Sequence, residues 1–399
     1  MQDSCKYTPA SELFARQEKL REHMHRQGTD GALILQNADL FYFSGTAQQA
    51  SLYIPAEGEA VLMVRKDFNR ARKESCLERV VPFSSTGQIP EILENHGLCL
   101  PKRLGMELDV VPAGLYFSFE KLFDRAEITD ISTPVRMIRA VKSEWEIALI
   151  RRAAALSDRL AASVAGLLKQ GMPEIELAGK IEAEARKMGH QGIVRMRLWG
   201  SELFYGHVMS GPSAAVPSYL ASPTGGPGIN PAVAQGPEDR PIKKHEPVLV
   251  DMVFSHCGYN SDHTRIFSIG KLPAELASAH RAMLEIQETV KNAAVPETPA
   301  GDLYELALDM AEKHGLSDYF MGAGKQRIKF VGHGIGLELD EFPFLAKGQK
   351  MPLEKGMIIA LEPKVIFPEK GVVGIENTHL VTEKGLEQLG CFKEDIITV

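Results

Sequence analysis

The sequence predicts a mixed α/β (α+β) chain of two domains, a smaller α/β domain over residues 1–135 and a larger one over residues 136–399. Three observations predict it. At 399 residues the chain is long for a single hydrophobic core. Through the first third, short β-prone and helical runs alternate, as in a mixed sheet covered by helices. Farther on, two apolar strand–turn–strand stretches, 247–269 and 357–381, are each preceded by a pair of segments with helical periodicity. That order fits two αβ halves around a twisted sheet.

Residues 12–27 read as a charged amphipathic helix with Leu13, Leu20 and Met24 on its apolar side. A strand over 31–35 follows, then Asn-Ala-Asp-Leu-Phe-Tyr-Phe-Ser-Gly at 37–45. Strands at 51–54 and 60–64, a helix over 66–76, and alternation through 103–108 and 113–123 complete the first domain. It carries no set of metal-binding side chains and no phosphate loop, so it reads as a packing and oligomerisation module. A boundary falls near Ile131-Ser132-Thr133-Pro134. Beyond it, Ser143 and Glu146 make a capping box that opens a long helix. Ile147, Ile150, Ala154 and Leu168 carry its periodicity to a stop at Gly171 and Pro173, and further helices are expected at 174–188, 273–292 and 301–314.

The tract 210–243 is dense in Gly and Pro and too long for a simple connector, which suits a lid over a site. Just after it, 247–254 is an apolar strand and 264–269 a second β-prone run, with Ser255-His256-Cys257-Gly258 as the turn between them. Folding about the 256/257 bond sets Asp251 opposite Asp262. The device recurs at 357–381, where folding about Glu369 sets Glu362 opposite Glu376. Like charges placed so are destabilising without a cation or a shared proton. Between the hairpins lies His333 in Gly332-His333-Gly334-Ile335-Gly336, a backbone that glycines let bend freely. Singly, each of these residues has a plain reading as a strand end, a turn residue or a core histidine. Together, four carboxylates and one imidazole suit two hard or borderline divalent ions with bridging carboxylates better than one structural zinc.

Composition excludes several classes. A formal charge of −7 with 24% charged residues gives no basic excess for nucleic acid or an anionic membrane. The opening residues are polar, so no signal peptide is expected, and no apolar run is long enough to span a bilayer. The five cysteines (Cys5, Cys76, Cys99, Cys257, Cys391) make no Cys-x-x-Cys and read as reduced thiols in a cytoplasmic protein, with Cys257 a plain turn residue.

The order Asp251, Asp262 eleven residues on, His333, Glu362 after twenty-nine and Glu376 after fourteen more resembles the pita-bread metallopeptidases. That family includes aminopeptidase P, prolidase and methionine aminopeptidase, with creatinase as a metal-free relative. The helix–strand entry and residues 37–45 resemble the creatinase-type N-terminal domain, so the resemblance covers nearly the whole chain. It implies a dinuclear centre (Mn²⁺, Co²⁺ or Zn²⁺) held by Asp251, Asp262, His333, Glu362 and Glu376. It further implies a bridging water as the attacking group, Glu362 as proton carrier, and a homodimer acting on short peptides.

Departures from the family pattern bear on substrate. Asp340 stands where Xaa-Pro peptidases usually carry a second histidine. Ala234 occupies the place of an upstream histidine; His207, in Phe-Tyr-Gly-His-Val, is the candidate to serve instead, beside its plainer reading as a strand histidine. Gly374 replaces the usual arginine two residues before the last glutamate, and Glu362-Pro363-Lys364 replaces the usual Glu-Pro-Gly. An ionised Asp340 would repel an oxyanion and attract a substrate amine. Three function classes follow: an Xaa-Pro dipeptidase or aminopeptidase P-like peptidase, a metal-dependent enzyme acting on a small non-peptide amide, and a binding protein that uses the cleft without catalysis.

Overall fold

The structure, a computed structural model, describes residues 7–202 and 205–399. The chain forms two compact units, one ending at Arg139 and the other beginning at Ala140.

The first unit is built on a six-stranded sheet of β1 (Gly31–Ile34), β2 (Ala50–Pro55), β3 (Val61–Val64), β4 (Arg79–Pro82), β5 (Arg103–Met106) and β6 (Glu127–Asp130), in the order β4-β3-β2-β1-β5-β6. Helices α1 (Ala10–Gln27), α2 (Asn37–Ser44), α3 (Phe68–Glu74), α4 (Ile89–Asn95), α5 (Ala113–Leu122) and α6 (Ser132–Ala140) accompany it. Leu13, Leu20 and Met24 of α1 are buried as their spacing predicts. Arg16 and Gln17 are buried with them and donate to the Tyr42 and Phe43 carbonyl oxygens at 2.9 Å, satisfying the open end of α2. The run 37–45 is that helix, and Gly45 ends it at φ 77°.

The second unit opens on α7 (Glu144–Leu167), whose first turn carries the predicted Ser143–Glu146 capping box. Then come α8 (Glu174–Lys187), β7 (Gly206–Ser210), β8 (Val248–His256), β9 (Tyr259–Ser268), α9 (Ala274–Ala293) and α10 (Ala300–Lys313). Strands β10 (Phe330–Gly334), β11 (Glu341–Ala346), β12 (Ile358–Leu361), β13 (Lys364–Phe367), β14 (Gly371–Gly374), β15 (Asn377–Thr382), β16 (Gly385–Gln388) and β17 (Ile397–Thr398) complete it. They form a four-stranded sheet β17-β9-β8-β7, a five-stranded sheet β11-β10-β12-β15-β16 and the ladder β13-β14.

In the first hairpin the register differs from the expectation. The turn is Cys257-Gly258, with φ of 50° and 90°, so the pivot lies one residue farther along. Asp251 therefore pairs with Thr264, and Asp262 with Val253. A two-residue displacement keeps both carboxylates on one face, diagonal rather than opposed. Cys257 is disulfide-bonded, which corrects its reading as a reduced thiol; Cys76, Cys99 and Cys391 are free.

The second hairpin keeps its register: Leu361 pairs with Asn377 and Lys364 with Gly374, bracketing Glu362 and Glu376. Its strands are not continuous, however. Pro363 has no N–H to give a ladder, and each strand breaks beside its glutamate. Glu376 instead exchanges backbone bonds of 3.3 and 3.4 Å with Thr264 of β9. The two glutamates thus sit where the chain passes from one sheet to the next.

Candidate metal centre

Asp251 on β8 and Asp262 on β9 reach the floor of a cleft of about 710 Å³, volume at its open mouth included. His333, Glu362 and Glu376 reach the same floor, and His207, Gln235, Leu339 and Asp340 line the walls. Ser222 and its neighbours Leu220 and Ala221 also line it, so the Gly/Pro-rich tract contributes a wall to this cleft.

Local sequence explains the placement of His333. A Cβ on Gly332 would lie 2.6 Å from the Ala360 carbonyl oxygen, and one on Gly334 would collide with the Phe342 carbonyl. These glycines permit close strand approach; they are absent from the positive-φ residues, so the expected freedom of bending is not what they supply. The imidazole Nδ1 lies 3.1 Å from both the Gly334 and Leu339 carbonyl oxygens. Carbonyls only accept, so Nδ1 carries a proton and Nε2 is the nitrogen left to bind a cation; without one, burial lowers the ring's pKa but the charges of Asp340, Glu362 and Glu376 outweigh it and hold it raised. Nε2 faces Asp262 Oδ2, Glu362 Oε1 and Glu376 Oε1, each at 3.9 Å.

Lys364 completes the cluster, and the sequence reading gave it no role. Its buried Nζ donates to Glu362 Oε2 at 2.8 Å, Glu376 Oε2 at 2.9 Å and Asp251 Oδ2 at 3.0 Å. The signal lay in the two departures already noted, because residues 364 and 374 are directly paired across the hairpin. Other supports were also missed. Thr264 Oγ1 donates to Glu376 Oε2 at 2.8 Å, and the Asp262 N–H donates to Thr378 Oγ1 at 2.9 Å. From behind, Arg265 donates to the carbonyl oxygens of Thr264, Glu376, Phe392 and Lys393 and to Asn377 Oδ1, at 2.9–3.0 Å.

The electrostatics are those of a negative excess. Burial, with the charges of Glu376 and Asp251, pushes Asp262 well above the ordinary carboxylate range. Burial likewise raises Glu376 to about 7, although Lys364 opposes it. For Asp251 burial acts upward too, but the charges of Lys364 and His207 outweigh it and hold the group low. Burial lowers Lys364, yet its three carboxylates win and hold the ammonium well above its usual value. His207, paired with Asp251 in the ladder, has its Nδ1 3.1 Å from Thr224 Oγ1; burial lowers its pKa and favours the neutral ring.

The donor set fits a divalent ion. Ligand atoms of Asp262, His333 and Glu376 all lie within 4.8 Å of one another, combining two oxygens with an imidazole lone pair fixed from behind. Asp251 reaches the same floor but is turned to the Lys364 ammonium. Asp340 lies at the cleft wall, its Oδ1 3.6 Å from His333 Nδ1. His263, next to Asp262, points to the other side of the sheet, where its Nε2 lies 3.7 Å from Asp158 of α7.

Residues 148–383 match the model of metallopeptidase family M24, and residues 16–141 that of the creatinase/prolidase N-terminal domain. The chain is 29% identical to the Xaa-Pro dipeptidase of Pyrococcus furiosus, covering 94% of this chain and 97% of the relative. It is 28% identical to that of Pyrococcus horikoshii, covering 95% and 98%. Among solved structures, the prolidase from Pyrococcus horikoshii OT3 superposes with a TM-score of 0.80 at 26% identity, over 96% of this chain and all of the other. The Xaa-Pro dipeptidase from Bacillus anthracis gives 0.83 at 24% identity, over 97% and 100%, which speaks for the fold.

Proposed function

The chain belongs to metallopeptidase family M24, a peptidase with a creatinase/prolidase-type N-terminal domain, and from that premise we propose that it removes an N-terminal residue from short Xaa-Pro peptides. The observation that carries this reading is the convergence of His333 Nε2 with Asp262, Glu362 and Glu376 on the cleft floor. Asp262, His333 and Glu376 would hold a divalent ion, with Glu362 beside them. Such an ion supplies Lewis acidity and a water of lowered pKa.

The chain's own residues do the rest. Glu362 takes a proton from the attacking water and returns it to the leaving nitrogen as the C–N bond breaks. The Leu339 and Gly334 carbonyls keep the His333 ring oriented. His207, neutral and buried beside Asp251, offers the substrate a hydrogen bond without adding charge. Asp340 draws in a cationic or hydrogen-donating substrate group near the scissile bond. A small amide bearing a positive group is the second reading, favoured by that same carboxylate. The proposal includes a homodimer, checked by size in solution; no described helix is long and apolar enough to cross a membrane.

Purified protein loaded in turn with Mn²⁺, Co²⁺ and Zn²⁺ is to be assayed on dipeptides with and without proline in second place. Cleavage confined to proline peptides and abolished by a chelator is the expected result. Turnover of small amides alone would select the second reading, and no hydrolysis with any metal would defeat both.

A further inference from the structure

Glu362 and Glu376 each divide their two oxygens between two positions. One oxygen of each faces His333 Nε2, and the other bonds Lys364 Nζ at 2.8 or 2.9 Å. That is how carboxylates bridge a pair of cations, and here one of the pair is an ammonium belonging to the chain. Its three hydrogens are matched by three carboxylate oxygens, the third being Asp251 Oδ2 at 3.0 Å. We propose that Lys364 permanently fills one of the two cation positions of this centre, so that the chain binds a single divalent ion, at Asp262, His333 and Glu376. The inference rests on the metallopeptidase reading above and narrows it to a one-metal, one-ammonium variant.

Three further observations carry it. Lys364 is 1% exposed, so its charge has no other outlet; a buried ammonium is tolerated only where paired and hydrogen-bonded. The space it uses is made by its cross-strand neighbour: a Cβ on Gly374 would meet Lys364 Cα at 2.7 Å, Lys364 Cγ at 2.8 Å and the Pro363 carbonyl oxygen at 2.5 Å. Lysine at 364 and glycine at 374 are therefore one steric arrangement, not two separate substitutions. Charge agrees as well. With all four carboxylates ionised, as a bound cation would hold them, one ammonium leaves an excess of three, which one divalent ion nearly neutralises. A second ion would have to displace Nζ from all three carboxylates.

The test counts metal, not turnover. Protein saturated with Mn²⁺ and freed of loose ions should carry about one ion per chain by elemental analysis, and its electron paramagnetic resonance should show isolated Mn²⁺ without exchange coupling. Lys364→Gly, which empties the position, should rise toward two ions and develop the coupled signal of a close pair. Lys364→Met, similar in length and uncharged, should stay at one ion but bind it more tightly, by about tenfold or more, as three carboxylates lose their ammonium. Two ions or a coupled pair in the unaltered protein would overturn the proposal while leaving the metallopeptidase reading intact. No ion at all would overturn both. Should Lys364→Gly fail to fold, the spectrum of the unaltered protein still decides; should it fold and keep one ion, Lys364 is not what excludes the second.

Discussion

Both units bury acidic groups beside a basic one, and they settle the charge differently. In the first, Arg139 Nη1 bonds Asp39 Oδ1 at 2.6 Å, while Glu107 faces Asp39 and accepts from the backbone N–H of Leu35 at 2.8 Å and Gln36 at 3.2 Å. All three side chains are at most 2% exposed. Burial first, then the Asp39 charge, holds Glu107 well above the usual carboxylate range, so the excess is removed by keeping a proton. In the second, Asp251, Glu362 and Glu376 bond Lys364 and, with Asp262, line an open cleft. There the same repulsion can be relieved from outside by a cation. A buried acidic excess is thus a structural matter where it is sealed, and a binding site where it opens to solvent.

Four substitutions and one control sharpen that contrast, from the largest expected effect to the smallest. His333→Ala removes the imidazole that, among the described residues, faces Asp262, Glu362 and Glu376, so metal affinity should fall by well over ~100-fold, the upper figure for losing a mere supporting partner. Calorimetric titration checks it, and Asp39→Asn run alongside should change affinity little. Arg139→Met deprives buried Asp39 of its guanidinium and should cost about 3–5 kcal/mol in denaturant unfolding, while folded protein keeps its metal affinity. If metal binding fell in parallel, the two clusters would not be independent.

Asp340→His is expected to raise turnover of a plain Xaa-Pro dipeptide by ~10-fold, as a proton donor replaces an acceptor at the cleft wall. Unchanged kcat/KM would make Asp340 a bystander. Glu107→Gln imitates the protonated acid and should gain on the order of 1 kcal/mol at neutral pH. The sign follows from linkage: a carboxyl with a raised folded pKa lends stability fully below its unfolded pKa, near 4.3, and loses it as pH rises through the folded value. Thermal melts of the unaltered protein should fall on that rise, with a flatter profile for the variant. Identical profiles would mean that Glu107 is ionised in the fold.

Much of this was legible in the chain. Periodicity placed α1 and α7, and the Ser143–Glu146 pair fixed where α7 starts. Symmetry about Glu369 gave the register at Glu362 and Glu376 because the turn lay where its midpoint suggested. The same construction missed by two residues at Asp251, since it took Ser255–Gly258 as the turn when only Cys257 and Gly258 adopt positive φ. Lys364 escaped notice for a different reason. On a strand its side chain reads as a solvent cation, and only the crossing of two sheets beside Pro363 turns it inward among acids. Glu107 was equally silent, because it is separated in sequence from the Asp39 charge that shifts it.

Arg265 carries a consequence for the order in which the centre is assembled during synthesis. All five of its hydrogens are used, and two of its acceptors are the carbonyls of Phe392 and Lys393, 127 and 128 residues along the chain. A chain built only as far as Glu376 has every acidic group and His333 but still lacks those two acceptors. Until they arrive, the guanidinium cannot be fully enclosed, and the Glu376 backbone it anchors is not yet fixed. Metal capture in a settled geometry therefore waits on residues 392 and 393, and a chain cut short just before them would carry all its ligands and no finished place to bind.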